Sequence, residues 1–226
     1  MTRTLGRTES ILIAVFLSIA CPLSTFVVAW WGSALVRTPE RVVEFSALTG
    51  LGLGLLLLAA RLKHWIAMFY AVSSTLTVSA YLFWSVIALA FFMGLPIGNL
   101  VLGSLAGLYI GRKAHHRCMA TSLFERQARW VGLFTAAVVG LISTAMGILA
   151  IQERETMQVI LGLVGLSQLA ATETGRVALV AIAVPALIGI QYWLTRVAAS
   201  WGFRLGRDDA RGAEPSKATP ETAENR

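Results

Sequence analysis

Acidic residues are few in this chain, 12 among 226, and none stands in the central part of a long apolar stretch. That scarcity removes the paired carboxylates that acid and base chemistry inside a bilayer needs, and the intramembrane proton relays of pumps with them. Cysteine is scarcer still. Cys21 lies in an apolar run and Cys118 in a basic connecting segment, which argues against a disulfide framework. No serine sits in a G-x-S-x-G elbow and no H-E-x-x-H pair exists. The glycines ending at Gly111, Arg112 and Lys113 have the wrong spacing for a phosphate-binding loop. The expectation is a protein that is not an enzyme and takes no cofactor.

What fills the chain instead is apolar residue, 56% against 14% charged. A bilayer core of roughly 30 Å takes about 20 helical residues to cross. Six stretches approach or exceed that length: 11–36, 45–62, 65–92, 96–112, 130–151 and 177–198. The fold class expected is therefore all-α, a polytopic bundle of six transmembrane helices. Residues 1–10 precede the bundle, 11–207 compose it, and 208–226 read as a disordered polar tail. Arg3 and Arg7, the run Ile11 to Ala20 and Cys21 have the outline of a lipoprotein signal. Ser18 is a poor fit to it, and apolar residues continue to Val36, so this segment reads as the first helix, with Pro22 inside and Trp30 and Trp31 as an interfacial anchor.

Between spans two and three only Arg61, Lys63 and His64 interrupt, which predicts a tight hairpin there. Pro96 suits the first turn of span four. Ser122 and Glu125 have the spacing of a capping box, so helix five is expected to start at Ser122, ahead of its membrane entry near Trp130. Residues 159–170 are apolar but too short to span, and read as interfacial or re-entrant.

Lys and Arg sort by side. Fifteen fall at the two ends and in the segments after spans two and four, against four in the other three loops, which places both termini in the cytoplasm. The formal net charge of +7 is thus spread over connecting segments and tail, and nucleic acid is not an expected partner. The bilayer is. The chain reads as a multi-pass protein of the plasma (inner) membrane.

Two local patterns stand out. Gly98, Gly103, Gly107 and Gly111 form a ridge in span four, the last three at four-residue spacing, which allows another backbone to approach closely. Ala136, Gly140 and Thr144 of span five offer a matching stripe. In span three, Ser73, Thr77, Tyr81 and Ser85 recur every fourth residue along one face, with Asn99 and Gln191 as polar intruders in spans four and six. His115, His116 and Cys118 are too few and too close in sequence to specify a metal site, so no metal is expected.

Two functions follow from these patterns. In the first, the chain is a permease-like or channel-like component for a neutral or weakly polar solute, lined by Ser73, Thr77, Tyr81, Ser85, Asn99 and Gln191. In the second, it is a membrane scaffold or accessory subunit that docks partner helices on the Gly103, Gly107 and Gly111 ridge, within a homo-oligomer or a larger membrane complex.

Overall fold

The computed structural model describes residues 5–36, 38–92, 95–152 and 172–212. Among the described residues every regular element is helical: α1 (Arg7–Leu35), α2 (Glu40–Met68) continued by a 3₁₀ turn (Phe69–Ala71), α3 (Ser74–Phe91), α4 (Ile97–His116), α5 (Thr121–Gln152) and α6 (Glu173–Gly212). Five of them are long and apolar enough to cross a membrane: α1, α2 with its 3₁₀ turn, α3, α5 and α6. Large apolar side chains such as Leu12, Ile19, Leu48, Leu56, Leu141 and Ile182 stand more than half exposed on their surfaces, as lipid-facing residues do. This is the build of a multi-pass membrane protein. The exception is α4, diluted by Asn99, Ser104 and four glycines and carrying Arg112 and Lys113 near its end.

The chain divides into two compact units, one up to Val78 and one from Ser79. In the first, α1 and α2 lie antiparallel. A Cβ on Gly50 would meet the Thr25 carbonyl and Ala29, and one on Gly54 would meet Pro22. The missing side chains let the helices approach until the Cys21 thiol donates to the Gly54 carbonyl at 3.5 Å. At the far end the Tyr70 hydroxyl donates to the Glu9 carboxylate at 2.7 Å, and Phe16 meets Phe69 edge-on.

Several boundaries differ from the sequence expectation. Helix α2 runs straight through Lys63 and His64, and no hairpin forms there. Charge does not end a helix; lost backbone pairing does. The break comes at Val72 and Ser73, where the Ser73 hydroxyl accepts from the Leu76 N–H at 3.3 Å and caps α3. Span three is accordingly Ser74–Phe91, and residues 65–71 belong to the preceding element. Pro96 is the cap residue of α4 and precedes its first turn. Helix α5 starts at Thr121, so Ser122 lies inside the first turn and no capping box is made. Helix α6 extends to Gly212, taking up the start of the expected tail. Residues 159–170 and 213–226 lie outside the described residues.

Candidate functional site

The second unit is organised by the glycine ridge. A Cβ on Gly103 would overlap the Gln191 amide, one on Gly107 the Thr195 carbonyl, and one on Gly111 the Ala199 carbonyl. Facing positions rise together along the two helices, so α4 and α6 are parallel, and α5 is the return helix that joins them in the chain order. It runs antiparallel to α6, with Gly132 against Tyr192, Gly140 against Ile188 and Gly147 against Val180. The ridge therefore meets α6, whereas the sequence points to the matching stripe of α5. Gly140 packs on α6 as well, Thr144 is exposed, and Gly98 faces Phe92 and, on α3, Ala88. Gly202 closes the seam from the other side, under the Leu108 carbonyl.

Polar groups concentrate in this seam. Gln191 Nε2 donates to Thr195 Oγ1 at 2.9 Å, and Thr195 Oγ1 stands 2.9 Å from Thr135 Oγ1 on α5. Thr135 Oγ1 in turn donates to the Gly132 carbonyl at 3.1 Å. With the Thr135 proton so committed, and Thr195 already accepting from Gln191, the network assigns Thr195 as donor to Thr135. All three side chains are 0% exposed. Gln191 Oε1 is the open end of this chain and makes no hydrogen bond among the described residues.

Asn99, also 0% exposed, makes none among them with either amide atom. It lies one turn before Gly103 on the same ridge, about 6 Å along the axis. One turn further along the ridge, Gly103 lies against the Gln191 amide. A buried amide without a partner costs roughly 1–3 kcal/mol, and three such atoms fall on one stretch of the seam.

The hydroxyl stripe of α3 divides. Ser73 is an exposed cap, and Thr77 is half-buried with its hydroxyl donated back to the Ser73 carbonyl at 3.0 Å, so neither lines an interior. Tyr81 and Ser85 are buried. The Tyr81 hydroxyl lies beside Ser85 without meeting hydrogen-bond geometry, and its ring packs on Phe134, the neighbour of Thr135. Ser143 of α5 is a further buried hydroxyl without a partner among the described residues. Sequence reasoning missed Thr135, Thr195 and Ser143. Gln191, Thr195, Ala199 and Phe203 repeat at the four-residue spacing of the ridge, and that was the available signal for Thr195.

The α4–α5 turn closes one end of the unit. Cys118 N–H donates to the His115 carbonyl and Met119 N–H to the Ala114 carbonyl, the two bonds of a Schellman motif, with Cys118 at φ 50° in its left-handed position. Met119 packs on Ala114, Phe124, Ala128, Ala199 and Phe203, where the Phe124 and Phe203 rings stack at 4.2 Å. His116 is buried, whereas Cys118 is exposed. Among the described residues no group of three metal-ligating side chains converges. Lys113, 4% exposed, donates to the Tyr109 hydroxyl at 3.4 Å. Burial first, and the charge of Arg117 second, hold its ammonium below the ordinary lysine value. No family model, no curated protein and no solved structure matches this chain.

Proposed function

We propose that the chain is a six-span protein of the plasma (inner) membrane, with cytoplasmic ends, that passes a small neutral solute by way of the α4–α6 seam. The observation that carries this reading is Asn99, an amide withdrawn entirely from solvent with neither polar atom hydrogen-bonded among the described residues. Structural polar residues in lipid are normally paired across helices. Asn99 and the open oxygen of Gln191 are groups a solute would complete. The acidic residues stay out of the apolar centres, so passage is passive or driven by a partner. The docking alternative loses its main support, because α6 already occupies the ridge that recommended it.

The test is flux of uncharged solutes into vesicles reconstituted with the full chain, compared with Asn99→Leu and with protein-free vesicles. The expected result is solute entry above the protein-free level that the leucine variant loses. The variant should also unfold at a higher temperature in detergent, since an apolar group replaces orphaned polar atoms. Entry no faster than through lipid alone, across a panel of neutral solutes, would end the reading.

A further inference from the structure

We infer that the molecule completed by this seam is a small primary amide or urea, an inference that rests on the neutral-solute reading above. The open atoms are specific in kind. Asn99 presents an acceptor, Oδ1, and a donor, Nδ2, side by side in one plane, and Gln191 adds a second acceptor, Oε1. The rest of the network is committed. Gln191 Nε2 is held by Thr195, Thr195 by Thr135, and Thr135 by the Gly132 carbonyl, which fixes the glutamine with its oxygen outward from the chain of donors.

The complement of two acceptors and one amino donor is a ligand with two or more N–H donors and one carbonyl. A primary amide or urea has that pattern on a frame of a few atoms. Its C=O and one N–H form a flat two-bond pair with the Asn99 amide, leaving a second N–H for Gln191 Oε1. A polyol places its hydroxyls on tetrahedral carbons, out of a common plane, and matches the pair poorly. Ions are disfavoured too: a cation lacks a carboxylate, and an anion would face two carbonyl oxygens.

Size is set by the seam. One helical turn, about 6 Å, separates Asn99 from Gly103, on which the Gln191 amide rests, and that is the reach of a few heavy atoms.

Gly103 belongs to the same arrangement, because any side chain there would displace the Gln191 amide. The experiment is stopped-flow light scattering on vesicles holding the full chain, with urea, acetamide and glycerol as permeants and an osmotic step for water. Urea and acetamide should equilibrate faster than in protein-free vesicles, with glycerol unchanged. Asn99→Leu should lower the protein-dependent amide rate by about tenfold, the scale of one or two buried hydrogen bonds. Glycerol or water accelerated without urea, or all permeants accelerated alike, overturns the amide assignment and leaves neutral-solute passage standing. No acceleration of any permeant overturns both. Should the leucine variant fail to fold, the wild-type ranking of urea and acetamide against glycerol decides alone.

Discussion

The hydroxyl oxygens of Thr135 and Thr195 stand 2.9 Å apart across the α5–α6 contact, both sealed from solvent. Each threonine is also bonded within its own helix, Thr135 to Gly132 and Thr195 to Gln191, so the pair joins two local motifs into one cross-helix link. Replacing Thr135 by valine leaves the Thr195 proton without its acceptor, whereas replacing Thr195 leaves Thr135 still donating to the Gly132 carbonyl. A double-mutant cycle with Thr135→Val and Thr195→Val, read from unfolding in detergent, should give a coupling of about 0.6 kcal/mol, with about 1.7 as the upper end for such pairs. Additive single and double variants would mean that the link contributes nothing.

Two glycines in the same unit should respond to alanine with opposite signs. A methyl on Gly107 would meet the Thr195 backbone carbonyl, which cannot swing aside, and overpacking of this kind costs about 1–3 kcal/mol. Gly189 has open space around the same position, so alanine there should add about 0.5–1 kcal/mol through helix propensity alone. Midpoints of thermal unfolding for Gly107→Ala and Gly189→Ala check both, and a loss at Gly189 would contradict the packing described.

Cys118 occupies a left-handed position that favours glycine. Cys118→Gly should raise stability by about 1 kcal/mol, since a side chain in this conformation costs roughly 1–2 kcal/mol before the extra chain entropy of glycine is offset. Circular dichroism melts in detergent under reducing conditions measure it. A destabilised variant would place the stabilising term in the cysteine side chain instead.

Lys113 has a pKa held below that of an exposed lysine, by burial and then by Arg117. At pH below the folded value the ammonium is charged in both states, and the fold carries the full penalty. As pH rises from there towards the ordinary lysine value, the folded form releases its proton first and stability grows. Wild type should therefore gain on Lys113→Met as pH climbs through the alkaline range. Parallel melting curves at every pH would remove the argument.

The sequence made the ridge legible because four-residue spacing is a local property of one helix. Its partner was not, since small stripes occur on both α5 and α6, and spacing alone does not say which one comes to lie alongside. Asn99 and Gln191 were visible as polar residues in apolar runs. That they share one seam depends on the register of Gly103 against Gln191, a contact between residues far apart in the chain. Conversely, Lys63 and His64 looked like a boundary because charge interrupts hydropathy, although neither residue disturbs helical hydrogen bonding. The actual break at Ser73 was written as a cap, but its hydroxyl sits among Ser74, Thr75 and Thr77, where every fourth position also reads as a polar face.

Helix α4 alone among the six described helices lacks a run apolar enough to cross a membrane, yet its glycines are covered by α6, which is made later. A nascent chain must keep α4 waiting, with its bare backbone ridge and Asn99 uncovered, until α6 has been synthesised and has come alongside it in parallel. Truncation before α6 should thus leave α4 inefficiently inserted and open to the quality-control proteases of its membrane, making the order of synthesis part of what holds this seam together.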